Sequence, residues 1–202
     1  MEFQGQARQD EFVANILNFK KNGYYLDIGS CDAVSTNNTY CFEQLDWKGI
    51  CIEKNIEHNK SYENRVCNFV NQDATKIDYR SLLIEKNSPQ KIDYLSLDID
   101  EQSTSVLKKL PLDNYRFGVI TIEHDFYIHG GIFRDAQRDI LNHHNYILLF
   151  SDVLVPLGSS IPPNSAFEDW WIDQSTLCVD EINKIKSDKL YPQQIISIIK
   201  NK

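Results

Sequence analysis

The residues best placed to do chemistry are acidic, and they recur at one kind of position. Asp27, Glu53, Asp73, Asp98, Glu123 and Asp152 each close or follow a short apolar or aromatic run. Tyr24-Tyr25-Leu26-Asp27-Ile28-Gly29 and Lys48-Gly49-Ile50-Cys51-Ile52-Glu53 are examples. Such runs read as buried strands. Structural carboxylates that cap nearby helix starts account for two or three acids in such a row. Six in succession suit a ligand with a cationic end and free hydroxyls, and they oppose a phosphate. His124, directly after Glu123, adds an imidazole able to act as a general base or a metal ligand.

The elements that must carry these acids follow from periodicity. Phe12, Val13, Ile16 and Leu17 share one helical face, giving an opening helix over about residues 8–20 that Asn22-Gly23 ends. Strands are expected at 24–29, 48–53, 66–70, 92–100, 117–123 and 146–152. Helices are expected at 38–46, 55–63 and 78–86, then after Ser103 or Thr104 as N-cap, and around Phe133, Ala136, Ile140 and Leu141. Ile182 and Ile185 suggest a late helix. The run Ile195 to Ile199 fits strand or helix and is apolar enough to pack on the core or on a second subunit. His129-Gly130-Gly131 reads as a mobile loop. Glu168-Asp169-Trp170-Trp171 reads as a loop whose tryptophans pack in the core or stack on a sugar ring.

Alternating strands and helices, with nearly continuous apolar strands, define an α/β fold. The sheet is doubly wound and mostly parallel, with helices on both faces. Ligands bind such sheets at the carboxyl ends of the strands, where the acids lie. The 202 residues suit one domain. Its parts would be an N-terminal helix (1–22), a core (23–152) and a closing loop and helix (153–202) able to cap the substrate.

Composition narrows the partners. The formal net charge is −8, from 29 acidic and 21 basic residues, which argues against a nucleic-acid binder because phosphate tracking needs clustered cations. No apolar run approaches the roughly 20 residues that span a bilayer, and the opening lacks a signal-peptide core, so a cytoplasmic protein is expected. The five cysteines form no CxxC pair and read as reduced thiols. Asn37-Asn38-Thr39 matches a glycosylation acceptor that would go unused in that compartment.

The turn after the first strand, Gly29-Ser30-Cys31-Asp32-Ala33-Val34, excludes several ligands. It holds one of the three dinucleotide-fingerprint glycines, and Asp27 and Asp32 would repel a pyrophosphate. No phosphate-binding Gly-Lys-Ser/Thr occurs, nor a Gly-x-Ser-x-Gly nucleophile elbow. S-adenosylmethionine fits the acids better. Its ammonium would sit near Asp27 and Gly29, its ribose hydroxyls on Glu53, and its adenine amine by Asp73 and Ala74. Gln9, Ser30, Asn38 and Asp98 are further candidate cofactor contacts.

In order along the chain come Gln9-Asp10, Leu26 to Ala33, Asn37-Asn38-Thr39 and Asp46-Trp47-Lys48-Gly49-Ile50-Cys51-Ile52-Glu53-Lys54. Ile92 to Asp100 and Val119-Ile120-Thr121-Ile122-Glu123-His124 follow. This series resembles the FkbM-type class I methyltransferases over about residues 9–152. The resemblance implies a Rossmann-like fold and O-methylation of a hydroxyl on a glycan, natural product or small metabolite, with surface-polysaccharide modification as one setting. The sequence departs from the family pattern at Ala33 (glycine), Lys54 (proline) and Glu101-Gln102 (Glu-Gly). The last departure bears on substrate and catalysis more than on cofactor binding.

Two catalytic arrangements are open. In one, Asp98, Glu123 and His124 bind Mg2+, which lowers the pKa of a bound hydroxyl, although magnesium prefers oxygen ligands. In the other, His124 is the general base, oriented by Asp98 or Asp125. Rival readings are a non-catalytic domain of the same fold, binding cofactor or partner only, and a nucleotide-sugar enzyme using the same crevice.

Overall fold

The computed structural model describes residues 1–201. Eight strands form one sheet in the order β3-β2-β1-β4-β5-β7-β6-β8. β1 (Tyr24–Ile28), β2 (Lys48–Glu53), β3 (Asn68–Asn71), β4 (Lys91–Leu97) and β5 (Arg116–Glu123) run parallel. Strand order reverses between β1 and β4, which opens a crevice at their carboxyl ends.

The far edge differs from the sequence expectation. Residues 166–173 are not a loop: β7 (Ala166–Asp173) is an inner strand, antiparallel both to β5 and to β6 (Tyr146–Leu154). Its charged start, Glu168-Asp169, disguises it. Both acids are buried and each has a partner distant in sequence, so the local pattern reads polar where the environment is not. Trp170 and Trp171 are fully buried on opposite faces of the sheet, which leaves neither tryptophan ring open for a sugar. Pleat alternation sends Trp170 to the core holding Phe12 and Ile195, and Trp171 to the core holding Leu83, Val106 and Leu141. Phe12 stacks on Trp170 at 4.4 Å between centroids.

Helices α1 (Gln9–Ile16) and α7 (Pro192–Lys200) pack together on the first face. The run Ile195 to Ile199 is therefore helical, and Ile195, Ile196 and Ile199 are buried in the protein's own core. The opening helix is shorter than expected because Asn18 and Phe19 adopt positive φ. Helices α2 (Tyr79–Glu85), α3 (Ser103–Leu107) and α5 (Gly131–His143) meet the second core through Leu82, Val106 and Leu141. Residues 129–131 are not a loop: α4 (Phe126–His129) runs into α5 across Gly130, at φ 60° and ψ −148°. That conformation is essentially glycine's alone. The segments at 40–45 and 56–64 are 3₁₀ rather than α-helical, and β3 starts at Asn68. Ser103 opens α3 without capping it, its Oγ accepting from the Ile99 N–H. A short helix α6 (Val179–Ile185) and strand β8 (Ser187–Asp188) complete the edge.

No helix is long and apolar enough to cross a membrane among the described residues. The five cysteines are all free.

Candidate active site

A cavity of about 300 Å³ occupies the crevice at the carboxyl ends of β1, β2 and β4. Asp27, Gly29, Ser30, Asn38, Glu53, Asp73, Ala74 and Asp98 all line it. Gly29 is required there twice over. Its φ is +84°, and a Cβ would stand 1.8 Å from the Asp98 carbonyl oxygen. The β1 and β4 chain ends approach closely only because that position carries no side chain.

Glu53 is held by two backbone donors, Cys31 N–H at 3.1 Å and Asn55 N–H at 2.7 Å. A carboxylate so oriented keeps lone pairs for a vicinal diol. Asp73 accepts from the Thr75 N–H and hydroxyl through Oδ1 and caps the turn that begins at Ala74. Asp27 is buried and accepts from the Thr39 hydroxyl at 2.8 Å. Burial pushes its carboxyl up to about 6, against the pull of Thr39 and Arg65. Asn38 donates to Ser96 Oγ and keeps a buried Oδ1 with no hydrogen-bond partner among the described residues. An unpaired buried acceptor and a pre-oriented carboxylate fit a ligand that brings ammonium and hydroxyl donors.

Gln9 does not line the cavity. Its Oε1 accepts from the Ala7 N–H, and its Nε2 donates to Glu168 at 2.5 Å. It folds the N-terminal segment back instead, so that Gln6 reaches the cavity wall.

Asp98 and Glu123, on neighbouring strand ends, share a hydrogen bond. Burial first, and then the Asp98 charge, push Glu123 far above the usual carboxylate range, so the pair holds a proton at neutral pH. Carboxylate oxygens of Asp100, Glu123 and Asp125 also converge to within 4.8 Å of one another. Glu168 lies directly across the β5–β7 ladder from Glu123. It is 2% exposed and accepts from Gln9 and from the Trp170 indole N–H, each at 2.5 Å. Burial pushes it up to about 8, opposed by those hydrogen bonds and assisted by the Asp98 and Asp125 charges. Sequence reading missed Glu168 as a site acid because it lay outside any recognised strand.

The structure does not bring His124 to Asp98 and Glu123. The imidazole is 2% exposed and faces β7. Its Nδ1 accepts from the Phe126 N–H at 3.2 Å, which leaves the proton on Nε2, 3.5 Å from Asp169 Oδ1. That separation is at the limit of a hydrogen bond. Asp169 is gripped by both arms of Arg138 at 2.7 and 2.8 Å and accepts from the Asp152 N–H. Burial would raise Asp169, but Arg138 and His124 overturn this and hold it at about 2. So the set Asp98, Glu123 and His124 expected to hold Mg2+ is not formed. His124 and Asp152 belong to a buried network with the two arginines of α5, whose charges already compensate the carboxylates.

Compared as a sequence, the chain matches no protein-family model and no curated protein. Compared as a fold, it is similar to an rRNA methylase from Streptococcus thermophilus, with 12% identity over 86% of this chain and 98% of that one and a TM-score of 0.52. It is likewise similar to a precorrin-6y C5,15-methyltransferase from Geobacter metallireducens (14% identity, 81% and 85% covered, TM-score 0.50). A TehB-like SAM-dependent methyltransferase from Corynebacterium glutamicum gives 13%, 85%, 88% and 0.50. The chain has the Rossmann-like class I methyltransferase fold.

Proposed function

We propose that the chain is an S-adenosylmethionine-dependent O-methyltransferase acting on a hydroxyl of a glycan, natural product or small metabolite. The observation that carries this is the cavity at the strand reversal, where Glu53, Asp27, Asn38 and Asp98 converge around Gly29. Its donors and acceptors suit the amine, diol and positive sulfur of that cofactor and would repel a pyrophosphate. The ordered motifs from Gln9-Asp10 to Glu123-His124 support the FkbM type within this fold class.

When bound, the cofactor supplies an electrophilic methyl group on a cationic sulfur. The chain's own part is alignment and proton removal. Asp98 sits at the junction of the cofactor cavity and the acid cluster. The Asp98–Glu123 pair holds one proton, and a positive charge in the crevice favours its release. That leaves a carboxylate able to take a proton from an acceptor hydroxyl. His124 acts at one remove: its bond to the Phe126 N–H holds the turn at Asp125, which has φ 44°. The three oxygen donors of Asp100, Glu123 and Asp125 are of the type a hard cation takes, but no step of this reading needs one.

An RNA acceptor, as the name of the Streptococcus thermophilus protein states for that protein, is less well served. Glu53, Asp73 and Asp100 line the cavity, and none is fully buried.

The cofactor reading is tested by titrating S-adenosylhomocysteine calorimetrically into the protein and into Glu53→Ala. Micromolar binding is expected, with a ten- to hundredfold loss in the variant, since hydrogen bonds to a charged group are worth about 1.5–3 kcal/mol. Tight binding of a nucleotide sugar, with none of S-adenosylhomocysteine, would overturn it.

A further inference from the structure

A second cavity of about 440 Å³ lies beside the acid cluster. The two are linked through that cluster. Asp98 and Asp100 line the cofactor cavity, and the carboxylate oxygens of Asp100, Glu123 and Asp125 converge. Asp125 is followed directly by Phe126 and Tyr127, which line the second cavity. Both volumes lie in or near the roughly 300–1,000 Å³ of small-molecule sites. The second cavity therefore opens next in the chain to Asp125 of the acid cluster.

The wall of this cavity carries two cations. Arg134 and Lys189 stand against one acid, Asp152, in a chain whose net charge is −8. Arg134 is fixed in place: it bonds Asp152 at 3.1 Å and Asp135 at 2.8 Å and lies 4.1 Å over the Phe126 ring. Lys189 is exposed and has no ion-pair partner among the described residues. Three lining residues, Asp152, Asn164 and Lys189, hold positive φ of 52°, 64° and 52°. Side-chain-bearing residues adopt that region at a cost, and such positions cluster at ligand sites. Phe126 and Tyr127 add aromatic faces, and Asn164 and Ser165 add neutral polar groups.

We propose that the second cavity is the acceptor subsite, and that it takes a hydroxylated ring bearing one anionic group, a carboxylate or a phosphate. This rests on the methyltransferase reading above. The ring lies against Phe126 and Tyr127, and the anion meets Lys189. The neutral hydroxyl end faces Asp125 and the Asp98–Glu123 pair, which would repel the anion and so fix the direction of entry. Specificity then comes from opposite charge at the two ends of one small molecule.

The test titrates glucuronate, glucose 6-phosphate and glucose into the protein saturated with S-adenosylhomocysteine. Lys189→Glu and the cavity-filling Ala166→Phe are titrated in parallel. An anionic sugar is expected to bind at millimolar concentration and at least tenfold more tightly than glucose. Lys189→Glu should remove that advantage and leave S-adenosylhomocysteine affinity unchanged, and Ala166→Phe should weaken all three sugars. Binding of glucuronate alone names a uronate acceptor, and of glucose 6-phosphate alone a sugar phosphate. The proposal is overturned if glucose binds as well as the anionic sugars, or if Lys189→Glu changes nothing. It is equally overturned if no sugar binds while S-adenosylhomocysteine does, or if a short RNA competes for the cavity through Lys189. Loss of S-adenosylhomocysteine binding in the unaltered protein would instead defeat the methyltransferase reading.

Discussion

Arg65→Met is expected to destabilise the protein by about 3–5 kcal/mol and to weaken cofactor binding at the same time. The guanidinium is almost fully enclosed, 1% exposed at the side chain, and it closes the loop that runs from Ser30 to Thr39. It bonds Glu43 at 2.6 Å, the Ala33 carbonyl, Asn37 Oδ1 at 3.3 Å and the Tyr25 hydroxyl at 3.2 Å. Nη2 also reaches Thr39 Oγ1 at 3.4 Å, and Thr39 is the residue that donates to Asp27. Removing the cation leaves the mostly buried Glu43 without its ion-pair partner and the Ala33 carbonyl without its Arg65 donor. That is the expensive way to break a buried pair. Because the same loop carries Ser30 and Asn38 into the cofactor cavity, the loss extends to affinity. Denaturant unfolding measures the first effect and calorimetry with S-adenosylhomocysteine the second. Arg65→Lys should recover part of the stability but not the multiple bonds of the planar fork. A variant within 1 kcal/mol of the parent would show that the loop is held by other contacts.

Arg65 also marks where sequence reading stops. Five strand ends and their acids were legible because a buried parallel strand writes a continuous apolar run, and its last residue locates the crevice. Asp27, Gly29, Glu53 and Asp98 follow from that pattern with no knowledge of packing. Arg65 has no such pattern. It sits in the polar stretch Glu63-Asn64-Arg65, and its partners at Tyr25, Ala33 and Glu43 meet it only when β1, β2 and β3 align. Asn37 is a related case. Its sequon suggests an exposed acceptor, whereas its side chain is buried, donates to the Ser30 and Asp32 carbonyls and accepts from the Thr39 and Tyr40 N–H groups. β7 was missed for the same reason. Glu168 and Asp169 break the apolar rhythm, and what permits them to be buried is Gln9, 159 residues away, and Arg138, 31 residues away. His124 looked catalytic because adjacency in sequence to Glu123 was read as adjacency in the site. In a strand, successive side chains point to opposite faces.

The ligand-free protein is expected to lose stability as pH rises from 5 to 9, by on the order of 4 kcal/mol from Glu168 alone. Its carboxyl titrates at about 8 in the fold and near 4.5 in the unfolded chain. Between those values the native state binds the extra proton, so unfolding becomes easier by about 1.4 kcal/mol for each pH unit. Asp27, Asp98 and Glu123 are also raised and act in the same direction. The carboxyls held low, Asp169 at about 2 and Asp173, contribute stability that is lost only below this window. Glu168→Gln removes the ionisation, but its amide N–H₂ cannot accept from one of the two donors as the oxygen of a protonated acid still can. The variant should therefore fall below the parent near pH 5 and gain on it by pH 9, with a smaller pH slope. Denaturation midpoints at pH 5, 7 and 9 decide this; a parent whose stability is flat or rising over that range would refute the crowded-carboxylate description. The same crowding has a consequence for binding. A cationic ligand entering beside Asp98, Glu123 and Glu168 lowers the cost of ionising them, so its binding should release protons. The apparent enthalpy of S-adenosylmethionine binding should then vary with the ionisation enthalpy of the buffer. Cofactor affinity should rise from pH 5 to 8, as the bare protein becomes less stable. Opposite pH slopes for stability and affinity are the mark of a site whose acids are held together against their own repulsion to receive a positive charge.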